Sequence, residues 1–245
     1  MCTVTYIPRQ KGNFILTSNR DEQAARSSKS LNQVLQNKQQ LIFPRDTEAG
    51  GTWIASSDAD RVVCLLNGAF EGHDRKPPYR RSRGLMVLDF FSFGKTEDFF
   101  RNYHFQGMEP FTMLIVERGK LWELRWDETE KSILQLDNEK PHIWSSATLY
   151  DAKTKAKREK WFENWIKNIH IFSRENILHF HKTAGDGDPW NDVIMNREDI
   201  VQTVSITSIL KLADRIDVMY HELLTNQIRT AEILLQRELV ASAED

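Results

Sequence analysis

Position 2 of this chain is a cysteine that directly follows the initiator Met1. Removing Met1 leaves Cys2 with a free α-amine and a thiol on one residue. An α-amine has an ordinary pKa of about 7.7–8.0, so it works as a base near neutrality. The thiol, ordinarily near 8.5, is drawn toward the thiolate by a nearby guanidinium. Arg20, within Asn19-Arg20-Asp21-Glu22, can supply that charge, and Asp21 can hydrogen-bond the amine and orient it. One residue then provides nucleophile and base, a variant of triad logic. The competing reading is structural: Cys2 is a buried strand thiol and residues 19–22 form a charged turn.

This chemistry needs elements that bring residue 2 and residues 19–22 together. The first 70 residues are rich in β-formers, with strands expected over 2–7 and 13–18. Residues 8–12, Pro-Arg-Gln-Lys-Gly, read as the hairpin loop between them. This register pairs Ile7 with Asn13 and Cys2 with Ser18, so residues 19–22 fall just beyond the second strand. Further strands are expected over 53–56, 61–66, 111–117, 121–126 and 132–136, with a late hairpin of 203–210 and 216–221. Ser82, Thr96 and Ser173 are placed to cap helices, and Glu97 and Asp98 suit a first helical turn. Residues 152–168 set Trp161, Trp165 and Ile169 on one helical stripe. Residues 183–192 read as a loop and 230–239 as a terminal helix. Strands, then helices, then strands predict an α+β class and one layered domain over 1–245.

Several motifs together resemble the NRDE family, that of the transport-and-Golgi-organisation protein 2. They are Met1-Cys2-Thr3, Ser18 to Glu22, Phe43-Pro44-Arg45-Asp46 leading to Gly50-Gly51-Thr52-Trp53, and Leu66-Asn67-Gly68. Arg80 to Gly84 is similar to the family's Ser-Arg-Gly helix start. The family is in turn similar to N-terminal-nucleophile hydrolases of the penicillin V acylase and choloylglycine hydrolase kind. That resemblance implies a four-layer αββα sandwich, with Cys2 as nucleophile, Arg20 supporting the thiolate, Asp21 orienting the amine and Asn67 polarising the carbonyl. Asn19, Gly50, Gly51, Trp53 and Ser146 are then expected around the substrate. Two positions depart from the family pattern: Ser146 stands where many relatives carry Asn, and Val204 where they often carry Arg. The resemblance therefore implies either an amidohydrolase or acyltransferase for a small amide or thioester, or a carrier without turnover for an acyl-thioester, lipid or haem.

The remaining signals narrow the classes. Gly50-Gly51 suits a tight turn before a strand, or exposed N–H groups facing a ligand. His179-Phe180-His181 near Asp186 and Asp188 matches no zinc spacing, so no metal and no cofactor are expected. Arg75-Lys76-Pro77-Pro78-Tyr79-Arg80-Arg81 reads as a solvated basic loop or as the rim of an anion site. The 245 residues carry 33 Lys+Arg against 35 Asp+Glu, a net charge of −2, which gives no general attraction to nucleic acid. The 2 cysteines exclude a disulfide framework. No apolar run approaches the roughly 20 residues of a membrane span, and no secretory pattern opens the chain. A small-molecule ligand and a reducing, cytoplasmic setting are the resulting expectations.

Overall fold

Hydrophobic alternation on the first hairpin separates two cores. The computed structural model describes residues 3–236. Strand β1, Thr3–Arg9, pairs with β2, Asn13–Glu22. Val4, Tyr6, Phe14 and Leu16 enter the large apolar cluster shared with the second sheet. Ile7 and Ile15, of the other parity, pack with Phe162, Ile177 and Phe180 from the helices. Successive side chains point to opposite faces of a strand, so one hairpin serves both cores.

The hairpin register differs from the sequence expectation by two residues. Pro8 and Arg9 continue the strand, Arg9 pairs with Asn13, and only Gln10–Gly12 turns. Ser18 therefore faces Val4, not Cys2, and Thr3 faces Asn19. Lys11 and Gly12 take positive φ, 62° and 69°, which closes the turn in three residues. Pro8 is tolerated because the outer neighbour of β1 pairs only with Thr3 to Tyr6, leaving the far half of the strand as an edge. Strand β2 also continues through residues 19–22, which were expected beyond its end.

Among the described residues the chain forms two seven-stranded antiparallel sheets and four α-helices. The second sheet begins with β3, Leu31–Gln36, and β4, Gln39–Pro44, which the sequence reading left unassigned. It continues through β5, Ile54–Ser57, β6, Arg61–Asn67, β7, Phe111–Glu117, β8, Lys120–Trp126, and β9, Lys131–Leu136, in chain order. The first sheet adds β10, His142–Ser145, β11, Asn196–Arg197, β12, Val201–Lys211, β13, Arg215–Glu222, and β14, Gln227–Leu234. Its order is β10-β1-β2-β12-β13-β14, with β11 beside β12, so β1 and β2 are interior strands. This is the α+β, four-layer αββα arrangement.

The expected terminal helix is a strand where it is described. Residues 230–234 lie in β14, which pairs along the whole of β13 and buries Ile233. The open edge of β13 offers a ladder of backbone partners, which outweighs local helix propensity. Residues 237–239 of that expectation lie outside the described residues.

Helix α1, Arg83–Phe90, starts at Ser82, whose hydroxyl accepts from the Leu85 N–H. Helix α2, Thr96–Asn102, is capped differently from the expectation: Lys95 is the N-cap, and the Thr96 N–H donates to the Glu117 carboxylate at 2.9 Å. Helices α3, Ala152–Asn168, and α4, Arg174–Thr183, cover the first sheet, capped by Asp151 and Ser173. No helix among the described residues is long and apolar enough to cross a membrane.

Candidate functional site

Because residues 19–22 lie within a strand, the motif is divided between two faces. Asn19 is fully buried on the helix side. Its Nδ2 donates to the carbonyls of His181, at 3.1 Å, and Val193, at 2.8 Å. Its Oδ1 lies 2.7 Å from His181 Nδ1, and His181 Nε2 lies 2.8 Å from Thr5 Oγ1. Since Oδ1 can only accept, Nδ1 carries the ring proton, and Nε2 accepts from the Thr5 hydroxyl. Burial, and then the nearby Arg158 charge, pushes the His181 pKa down to about 3, so the ring is neutral.

Asp21 faces the same side. Its carboxylate accepts from the Tyr150 hydroxyl at 2.7 Å and the Thr203 hydroxyl at 2.6 Å. The irregularity between Thr203 and Ser205 sets Thr203 directly opposite Asp21, and Val204, fully buried, occupies the extra position. Arg158, also fully buried, stacks 3.6 Å over the Tyr150 ring. It donates to Thr3 Oγ1 and to the carbonyls of Asn191 and Asp192.

Arg20 faces the other sheet. Its guanidinium stacks 4.0 Å over Trp53, donates to Asp46 Oδ2 at 2.6 Å, and donates to the Arg26 carbonyl. Burial lowers the Arg20 pKa from its ordinary value, with Asp46 and Glu22 opposing that fall. Burial raises the Asp46 pKa, but the Ala49 N–H, Arg20 and Arg26 outweigh it, so the carboxylate sits below its usual range. Arg26 also reaches Asp46, at 2.6 Å, and Glu22, at 2.7 Å. Sequence reasoning gave Asp46 no chemical role. The signal was its position before a Gly-Gly turn, since Asp46 Oδ1 accepts from the N–H groups of Glu48 and Ala49.

These groups line a cleft of about 600 Å³, within the range of small-molecule sites. Arg20, Gly51, Trp53 and Asn67 are on its wall, while Asn19, Asp21, Gly50 and Ser146 are not. Gly50 takes φ +70° in the turn, and its N–H donates to the Asp46 carbonyl. Gly51 permits close approach: a Cβ there would lie 2.3 Å from the Gly84 carbonyl carbon, where α1 begins. Ser146 stands behind Asn67 and donates to its carbonyl at 2.8 Å, reinforced by the Ala147 N–H at 3.2 Å. Asn67 is thereby fixed through its backbone at the end of β6. The candidate nucleophile, Cys2, lies outside the described residues. The other thiol, Cys64, is fully buried, and burial pushes its pKa up to about 12. No cluster with metal-binding composition occurs among the described residues.

The sequence matches the family described as Transport and Golgi organisation 2 over residues 1–236. The chain belongs to this family. As a member of it, the chain also resembles solved structures across most of its length. A variant of conjugated bile acid hydrolase from Clostridium perfringens superposes with a TM-score of 0.58 at 11% identity, covering 98% of this chain and 100% of that one. A second variant of that hydrolase gives 0.57 at 11% identity, covering 97% of each chain. The Caenorhabditis elegans orthologue of N-acylethanolamine-hydrolyzing acid amidase gives 0.60 at 12% identity, covering 85% of this chain and 92% of that one. At these identities the likeness establishes an N-terminal-nucleophile-hydrolase-like fold. Comparison with curated proteins gives no match.

Proposed function

We propose that this protein is a cysteine N-terminal-nucleophile amidohydrolase or acyltransferase that acts on a small amide or thioester. The observation that carries the reading is that Arg20 and Asn67 line one cleft, while Thr3, where β1 begins, pairs with Asn19 next to Arg20 in the chain. Cys2 immediately precedes Thr3 in the chain. Thr3 pairs with Asn19 on one side and with Ser145, just before Ser146, on the other. Those pairings set Thr3 beside Asn19, which precedes Arg20 and Asp21, and beside the segment that holds Asn67. The amide and acyl-conjugate hydrolases of like fold add to the case.

The α-amine of processed Cys2 takes the thiol proton, and the sulfur attacks the carbonyl carbon. The Asn67 amide N–H donates to the developing oxyanion. The leaving amine or thiol takes the proton back from the α-ammonium as the acyl-sulfur bond is retained. Water, or an acceptor nucleophile, then attacks that thioester while the α-amine accepts its proton; the carbon–sulfur bond breaks, the α-ammonium returns the proton to the Cys2 sulfur, and the acid or the transferred acyl product leaves. Asp21, held by Tyr150 and Thr203, is assigned the orientation of the amine. A reducing cytoplasm suits a free Cys2.

The carrier reading has one observation in its favour. The Arg20 charge is already met by Asp46 at 2.6 Å, which leaves less of it for a thiolate. Intact-mass measurement of the full chain with activated acyl esters separates the two. The hydrolase reading expects loss of Met1 and one acyl adduct at Cys2, abolished in Cys2→Ser. Adducts at Cys64 alone, or none, would overturn it.

A further inference from the structure

A second charged cluster forms the outer wall of the cleft, away from Arg20. His73 and Arg75, from the loop after β6, and Arg83, the first residue of α1, all reach one carboxylate, Glu109. Arg83 lies 3.1 Å from it, Arg75 3.4 Å and the His73 ring 3.4 Å. One carboxylate thus faces two permanent guanidiniums and an imidazole. The inner group is balanced by contrast, with Arg20 and Arg26 against Asp46 and Glu22. Arg81, the other arginine on the wall, is forked on Asp89. The positive excess of the cleft is therefore concentrated around Glu109.

The Arg83 part of that excess is in a place where water compensates it poorly. The Arg83 side chain is mostly buried, and burial lowers its pKa while Glu109 opposes the fall and Arg75 deepens it. His73 Nδ1 is shielded from solvent and has no hydrogen-bond partner. The carboxylate can only accept, so Nε2 carries the ring proton toward Glu109, and Nδ1 is left as an acceptor open to a donor on the ligand. Arg75, 73% exposed at the mouth, can swing onto an incoming group. Planar guanidiniums match carboxylate and phosphate oxygens in fork geometry.

We propose that His73, Arg75 and Arg83 form a recognition subsite for a carboxylate or phosphate on the substrate, so that the acyl compound this protein takes is an anion. The inference rests on the function proposed above for the same cleft, and it specifies the substrate class. Glu109 holds the two guanidiniums and the imidazole in place until the ligand anion shares their N–H groups. The basic loop that begins at Arg75 thereby becomes the rim of an anion site.

The test is calorimetric titration of full-length Cys2→Ser, which reads binding without turnover. One arm compares N-butyrylglycine with uncharged N-butyrylglycinamide. The other compares N-butyrylethanolamine phosphate with N-butyrylethanolamine. The expected result is an anionic ligand bound at least about tenfold more tightly than its neutral partner, as for one charge-assisted hydrogen bond. The arm that shows the preference tells carboxylate from phosphate. Added salt should shrink the preference. Arg75→Ala and Arg83→Gln should each reduce it about tenfold, whereas Lys140→Ala should not. Arg75 is exposed, so its loss reads the subsite even if Arg83→Gln perturbs folding. Equal affinities in both arms, no binding by any of the four ligands, or a preference unchanged in Arg75→Ala would overturn the proposal. Acyl adducts at Cys2 without anion preference would leave the hydrolase reading standing and remove the subsite. Anion-selective binding without adducts would keep the subsite and favour the carrier.

Discussion

On the helix-facing side of β2, Asn19 and Asp21 meet His181, Val193, Tyr150 and Thr203, all of them buried. On the sheet-facing side, one residue away in the chain, Arg20 meets Asp46 and Arg26 at the wall of an open cleft. The first network is buried: its groups lie away from water, and it fixes the strand. The second is charged and reaches solvent through half-buried Arg26 and Glu22. Four consecutive motif residues thus divide between holding the strand and furnishing the cleft.

The largest effect should come from breaking the closed side. Arg158→Met removes donors from two buried carbonyls and from Thr3, and removes the cation over Tyr150. We expect a loss of about 3–5 kcal/mol in urea unfolding, because several buried groups lose their partners together. A loss below about 1 kcal/mol would show that this face is not the rigid one.

Acid sharpens the same contrast. Folded His181 stays neutral down to about pH 3, whereas the unfolded chain takes up its proton below the ordinary 6.5. Between those values the unfolded state binds more protons, so stability rises with pH there and is lost on acidification. Going from pH 7 to pH 5 should cost about 2 kcal/mol from this residue. The slope should vanish in His181→Gln when both proteins are unfolded in urea across that range. A slope that persists in the variant would remove His181 as its source.

The smallest effect belongs to the open side. Arg26→Gln should cost less than about 1 kcal/mol, since its ion pairs are partly solvated and Arg20 keeps Asp46. A loss above about 2 kcal/mol would mean that the cleft face is as closed as the helix face.

The strands from 61 to 136 and the helices begun at Ser82 and Ser173 were legible because hydrophobic alternation and capping hydroxyls act within a few residues. Likewise, the sequence alone was enough to pair the first two strands as a hairpin and to suggest family and fold class. It could not show that those residues lie inside β2, because the strand is lengthened there by pairing with β12, some 180 residues away in the chain. For the same reason β14 became a strand on the open edge of β13 instead of a helix. The partners that decide the chemistry are also remote. His181 reaches Asn19 across 162 positions, Tyr150 reaches Asp21 across 129, and Glu109 gathers His73, Arg75 and Arg83. Local propensity depends on neighbouring side chains and is written in the chain order. Which buried polar group meets which depends on how layers stack and which strand edges remain open, and only the assembled sheets fix that.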